Sequence, residues 1–221
     1  MTRRLEIICS HLFSCNVFAD IGCDHGYCTQ FMFRKALCKK AYISDISAGS
    51  LQKAAHLLEK EVKEGSCIPI VANGLEGIPE PCDLALIAGM GGEEIIPILE
   101  KFPLPEAFVL QPMKNSEKVR SFLIGRGASI DRDYTFEDGG KFYDLIVGRA
   151  VGGDEYDAFE LRYGRDNLKS PTQAFLNKLR HDQKNYRTAL SAPNLSGARR
   201  EDVLKKLYES EVITDAIEND L

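Results

Sequence analysis

The stretch Val17-Phe18-Ala19-Asp20-Ile21-Gly22-Cys23-Asp24-His25-Gly26-Tyr27 constrains the chain more than any other. An apolar run rich in β-branched and aromatic residues stops at Gly22, a second glycine follows at Gly26, and the next residues read as a helix start. A strand, a tight turn and a helix N-terminus in that order form the unit with which open α/β sheets hold a nucleotide-like ligand. The spacing D-x-G-x-x-x-G falls short of the full dinucleotide fingerprint. This stretch alone therefore admits both a ligand turn and a plain strand-turn-helix.

The segments that follow alternate in the same rhythm. Residues 3–13 read as a short amphipathic helix beside the sheet, and residues 17–21 as the first strand. Tyr27, Phe31, Phe33 and Leu37 recur at near-helical spacing and mark a helix behind the glycine turn. Residues 41–45 form a second strand ending in Asp45, an acid placed to accept hydrogen bonds from ribose hydroxyls. Ser44, Asp45, Ser47 and Ser50 also precede a helix over 51–63, so capping is open beside the ribose role. Residues 68–72 are a third strand, closed by Asn73-Gly74-Leu75. Residues 83–88 are a fourth, apolar throughout as a strand buried on both faces must be. It ends in Gly89-Met90-Gly91-Gly92, ahead of a helix over 93–99. Three glycines in four residues suit either close approach of backbone to a ligand or a flexible turn, and the sheet edge favours the ligand. Residues 107–110 are a fifth strand running into Gln111-Pro112, and a helix over 116–124 takes Ser116 as its cap. The rhythm then changes: residues 128–136 and 142–149 are strands joined through Glu137-Asp138-Gly139-Gly140-Lys141, an antiparallel hairpin.

After Gly152-Gly153 the composition shifts. A helix from Pro171, placed at its first position, to about Leu190 can align Phe175, Leu179, Tyr186 and Leu190. A turn at Ala192-Pro193-Asn194-Leu195-Ser196-Gly197 leads to a second helix over 200–217 with Val203, Leu204, Leu207, Val212 and Ile213 apolar. The division this predicts is a sheet domain over 1–153 and a helical, coiled-coil-like hairpin domain over 154–221. The net charge of −5 hides an uneven distribution. Between Leu161 and Ser210, 11 Lys and Arg face five Asp and Glu. Arg162, Arg165, Lys178, Lys184 and Arg187 could follow a phosphate backbone or simply solvate a helix face.

The 221 residues suffice for one α/β domain and an appendage, and 44% hydrophobic with 28% charged residues is ordinary for a globular protein. Seven cysteines, odd in number and without a C-x-x-C pair, fit reduced cytoplasmic thiols better than disulfides or zinc, so no metal is expected. Arg3-Arg4 precedes an apolar stretch interrupted by Glu6 and His11 that merges into the first strand, so it reads as domain and not as a secretory signal. No run reaches the roughly 20 apolar residues of a membrane span.

A parallel α/β sheet finished by an antiparallel hairpin resembles class I S-adenosylmethionine-dependent methyltransferases. More closely, Ala19 to Tyr27, Ser44-Asp45-Ile46, Asn73-Gly74-Leu75, Ile87-Ala88-Gly89-Met90-Gly91-Gly92, Leu110-Gln111-Pro112 and Glu137-Asp138-Gly139 with Lys141 and Tyr143 resemble the bacterial TrmK family of tRNA (adenine-22-N1)-methyltransferases. Tyr163-Gly164, Leu168 and Pro171-Thr172 are similar to the start of that family's C-terminal helical domain. Cys28-Thr29 replaces a leucine-proline pair usual in the family, Met113 an asparagine, and Asn73 an aspartate. The resemblance implies a Rossmann-like seven-stranded sheet and S-adenosylmethionine held by Asp20, Gly22, Cys23, Asp45, Ile46, Asn73, Gly74, Ala88 and Gly89. It further implies a target adenine against Gly89, Met90 and Gly91, and Asp24 and His25 orienting or deprotonating its exocyclic amine. Gln111, with the basic residues named above, would contact tRNA. His25 could instead only cap the helix or hold the loop. The protein so read is a cytoplasmic monomer. Two other classes stay open: a methyltransferase of a small molecule or protein, which would lack salt-dependent tRNA binding, and a non-catalytic Rossmann-like binder of NAD or of no cofactor.

Overall fold

The computed structural model describes residues 1–192 and 195–219. It divides into two compact units, Met1–Arg165 and a second beginning at Asp166. In the first, α1 (Arg3–Ser10) opens on Thr2, whose hydroxyl accepts from the Leu5 amide, and precedes β1 (Val17–Ile21) and α2 (Tyr27–Arg34). β2 (Lys40–Asp45), α3 (Ala48–Leu57), α4 (Glu59–Lys63) and β3 (Cys67–Val71) follow. β4 (Leu84–Met90), α5 (Gly92–Glu100), β5 (Ala107–Pro112) and α6 (Ser116–Gly125) lead to the hairpin of β6 (Ala128–Asp138) and β7 (Lys141–Gly152). α7 (Ala158–Tyr163) ends the unit.

The seven strands run β3-β2-β1-β4-β5-β7-β6, the first five parallel and the hairpin antiparallel. The order reverses between β1 and β4, which leaves a crevice beyond their C-terminal ends. Alternation along each strand fills both faces: Phe18, Leu84, Leu86 and Val109 pack with Ile8 and Met32 from α1 and α2. Ala19, Ala85, Ile87 and Phe108 pack with Ile95, Leu99, Val119 and Leu123 from α5 and α6. β4 is thus buried on both faces, as its continuous apolar run requires.

Several local expectations shift. The helix behind the glycine turn buries Cys28, Thr29 and Met32, while Tyr27 stays exposed; Ala36 in a left-handed conformation stops it early. The helix expected over 51–63 breaks at Leu58 into α3 and α4. Ser116 is not the cap of α6; Asn115, at φ 60°, precedes it. The glycine run after β4 is no flexible turn: Gly89 and Met90 belong to the strand, which shifts register there, and Gly91 is the N-cap of α5.

Residues 154–165, expected with the C-terminal helices, pack in the first unit. The Ile130 amide donates to Asp154, and the buried Arg120 guanidinium donates to the Leu161 carbonyl at 3.2 Å while pairing with Asp133 at 2.9 Å. α8 (Arg165–Lys169) starts on the last residue of the first unit, and α9 (Gln173–Leu190) and α10 (Gly197–Asn219) follow in the second. Pro171 lies before the cap of α9, which is Thr172, and not at the first helical position. α9 and α10 run antiparallel. Gln183 donates to the Ser210 carbonyl and the Thr214 hydroxyl, so polar groups take core positions while Leu204 and Val212 lie exposed. The Pro193-Asn194 part of the expected turn lies outside the described residues. No helix of the described residues is long and apolar enough to cross a membrane.

Candidate functional site

The organising stretch folds as a turn pinned to its neighbours. β1 ends at Ile21, and Gly22 takes φ 67°, a conformation that costs a side-chain-bearing residue strain. The Gly22 and Cys23 amides both donate to the Ser44 carbonyl of β2, at 2.8 and 3.1 Å. Asp24, also left-handed at φ 47°, donates its amide to Asp45 Oδ2 at 3.3 Å. Asp45 Oδ1 accepts from the Ser47 amide at 2.8 Å, and Ser47, not Asp45, caps α3. One carboxylate thus joins the first and second loops and keeps lone pairs for a ligand. Ser44 Oγ donates to the Gly74 carbonyl at 2.7 Å and ties in the third loop.

Beneath the turn lies Asp20, 4% exposed, with its Oδ2 accepting from Thr29 Oγ1 at 2.7 Å. Burial pushes its carboxyl up to about 6; the Thr29 hydrogen bond opposes that shift and the Asp45 charge adds to it. Thr29 therefore belongs to the site, where the sequence reading treated Cys28-Thr29 only as a departure from a family pattern. Above the turn, His25 Nδ1 and Asp24 Oδ2 are 2.8 Å apart, and the His25 ring stacks on Tyr27 with centroids 5.7 Å apart.

These loops and the end of β4 enclose a cavity of about 830 Å³, a size that suits a nucleoside-containing ligand. Its wall includes Asp20, Gly22, Cys23, Asp24, His25, Asp45, Ile46, Asn73, Gly74, Ala88, Gly89 and Met90, twelve of the residues singled out from sequence. Glycine is favoured at Gly22, Gly74 and Gly89, each in the left-handed region at φ 67°, 75° and 83°. A Cβ on Gly22 would fall 2.1 Å from Met90 Cε, and one on Gly74 2.5 Å from Ile98 Cγ2. Asp20, Asp24, Asp45, Glu93 and Glu94 give the wall an excess of acid. Its cations are few: Lys101, which pairs with Glu76 at 2.9 Å, and Arg4.

Arg4 escaped the sequence reading, which took Arg3-Arg4 for the flank of an apolar run. Its Nε donates to Gln111 Oε1 at 2.7 Å, and its backbone amide to Asp138 Oδ2 at 3.0 Å. Gln111 is fully buried and stands behind Arg4, not in the cavity wall. Gly91 is also buried, outside the wall, its amide donating to Glu94 Oε2 at 2.7 Å. The basic residues expected to follow phosphates are mostly engaged within the protein. Arg165 pairs with Asp154 and Glu160 and lies 4.0 Å over the Tyr156 ring. Arg162 lies 3.7 Å from Glu117, Lys178 2.9 Å from Asp182, and Arg187 2.6 Å from Glu211. Lys184 is exposed and forms no ion pair among the described residues. All seven cysteines are free, and the described residues hold no cluster of three or more potential metal ligands.

Comparison with known proteins adds a lineage to this geometry. The sequence profile described as "Methyltransferase domain" matches residues 1–146. The tRNA (adenine(22)-N(1))-methyltransferase of Bacillus subtilis is 29% identical over 170 residues, 74% of this chain and 71% of that protein. A Streptococcus pneumoniae protein solved in complex with S-adenosyl-L-methionine is 25% identical, superposes with a TM-score of 0.87 and covers 97% of this chain and 99% of its own. M. capricolum TrmK, solved with S-adenosyl-homocysteine, shares the fold at a TM-score of 0.88 and 20% identity, covering 97% of this chain and 98% of its own.

Proposed function

The chain belongs to the methyltransferase-domain family, and from that premise we propose that it methylates N1 of an adenine in tRNA at the expense of S-adenosylmethionine. The position is the one named for the B. subtilis relative, adenine 22. The observation that carries the reading is the acid-rich cavity beyond the ends of β1, β2 and β4. Five carboxylates in its wall suit a cofactor that bears a positive sulfonium. Gly22 keeps the cofactor's side of the turn clear, where a methyl group would meet Met90. When bound, the cofactor supplies a methyl group already activated for displacement, so placement of the nucleophile governs much of the rate.

The chain's own residues then have distinct tasks. Asp45, held by the Asp24 and Ser47 amides, accepts from ribose hydroxyls. Asn73, exposed in the wall beside Gly74, accepts from the cofactor's adenine amino group through its carbonyl. Gly89 and Met90 bound the space for the target base. Adenine N1 lies on the pairing edge, so the nucleotide must be unpaired or extruded before reaction. With Nδ1–H donated to Asp24, His25 Nε2 carries a lone pair that can take a proton from the exocyclic amine as N1 becomes cationic. Lys184 and its basic neighbours on α9 attract the tRNA backbone, and the protein works as a monomer in the cytoplasm, where its thiols stay reduced.

The test is direct. Unmodified tRNA is incubated with the protein and methyl-labelled S-adenosylmethionine, digested, and its nucleosides separated. Label is expected in 1-methyladenosine; its absence overturns the reading.

A further inference from the structure

Arg4 is the one cation of the cavity wall whose guanidinium forms no ion pair among the described residues. It is nevertheless firmly placed. Nε is spent on Gln111, whose own Nε2 donates to the Pro112 carbonyl at 3.0 Å. The guanidinium carbon lies 5.4 Å over the centre of the Tyr143 ring. Nη2 reaches the end of β4 at Gly89, where a Cβ would stand 2.8 Å away, so a glycine there makes room for it. Both Nη groups are left to donate. A guanidinium anchored on β5, β7 and the hairpin end, with its fork unspent, is prepared for an oxyanion.

Resting on the tRNA reading above, we propose that Arg4 takes a backbone phosphate of the extruded adenosine and so positions the base for attack. Two arguments select that oxyanion. Asp20, Asp24 and Asp45 lie on β1, on the turn after it and on β2, whereas the Arg4 guanidinium lies against Gly89 of β4, Gln111 of β5 and Tyr143 of β7. The target base gains positive charge on methylation, so a guanidinium beside N1 would oppose the reaction, while a nucleotide entering the cavity necessarily brings its phosphates. The other carboxylate or phosphate source in the cavity is the cofactor's own carboxylate, and the experiment separates the two.

The full chain is compared with Arg4→Met and Arg4→Lys. Affinity for S-adenosylmethionine is measured by calorimetry, and kcat and KM for unmodified tRNA are measured from 50 to 200 mM salt, with thermal unfolding as a folding control. Arg4→Met is expected to raise KM for tRNA about tenfold and to flatten its logarithmic salt dependence by about 0.7–0.9, the value of one phosphate contact. Cofactor affinity should stay within about twofold. Arg4→Lys keeps the charge without the fork, so it restores the salt dependence but only part of KM; should Arg4→Met fail to fold, that variant alone carries the test through a severalfold rise in KM at unchanged slope. A loss confined to cofactor affinity assigns the guanidinium to the cofactor and overturns the proposal, as does a variant with tRNA kinetics identical to wild type. A wild-type protein that forms no 1-methyladenosine overturns the tRNA reading itself, an outcome visible before any variant is made.

Discussion

Asp20→Asn tests the electrostatics of the turn at its root. Asp20 is 4% exposed, and burial lifts its carboxyl from 3.8 to about 6 even though Thr29 donates to it. Below about pH 4 the carboxyl is protonated in both folded and unfolded chains and costs nothing. Between about pH 4 and 6 the unfolded chain releases the proton while the folded one keeps it, so stability falls as pH rises; above about 6 the loss is complete. A shift of about two pH units corresponds to about 3 kcal/mol. Asparagine removes this dependence. Its carbonyl still accepts from Thr29, but its amide is left without an evident partner, a cost of about 1–3 kcal/mol that does not vary with pH. The expected result of urea unfolding, with the protein free of cofactor, is that Asp20→Asn is less stable than wild type at pH 4. It then gains about 3 kcal/mol relative to wild type by pH 7.5, most of it before pH 6.5. Because other titrating groups are common to both chains, the difference isolates Asp20. Parallel stability curves across the whole range would refute the claim that this carboxyl is buried at electrostatic cost.

Other perturbations probe separate parts of the molecule. Arg120→Met leaves Asp133 buried without its partner and should cost about 3–5 kcal/mol in urea unfolding, far more than loss of an exposed pair. His25→Ala should slow single-turnover methylation about a hundredfold, with cofactor affinity retained; an unchanged rate assigns His25 to holding the loop. Lys184→Ala should weaken tRNA binding and lower its salt dependence, whereas Arg187→Ala, already paired with Glu211, should change both less; filter binding at several salt concentrations decides. Gly22→Ala meets Met90 at a left-handed position, so calorimetry should show at least a tenfold loss of cofactor affinity.

What was legible in the sequence was local. Gly22 and Gly26 announced a tight turn and Gly139-Gly140 the hairpin, and all four take positive φ, where only residues without a Cβ sit without strain. The apolar run of β4 disclosed a strand covered on both faces. The departures are contacts that no window of sequence contains. Arg4 meets Gln111 across 107 positions, so neither residue advertises the other, and Gln111 was assigned to substrate when its side chain is spent on Arg4. Gln183, Ser210 and Thr214 are buried in the helix pair while Leu204 and Val212, which periodicity placed among the apolar positions, lie exposed, since three polar groups that satisfy one another can be buried at little cost.

The charge of the C-terminal helices carries the same argument to function. Counted along the chain, 11 basic residues against five acids suggest a surface made for nucleic acid. The fold pairs Arg180 with Glu218 and Arg187 with Glu211, acids that lie beyond the counted segment and return on α10 because the two helices run antiparallel. Lys178, Lys205 and Lys206 each find an acid four residues away on their own helix. Exposed pairs of this kind are weak, about 0–1 kcal/mol, so they can open toward phosphates when RNA arrives. Each that opens must still give up its carboxylate, and the field at the surface is that of the remaining cations, not of the whole count. The tRNA affinity of α9 should therefore depend on Lys184 more than on any arginine already held by an acid.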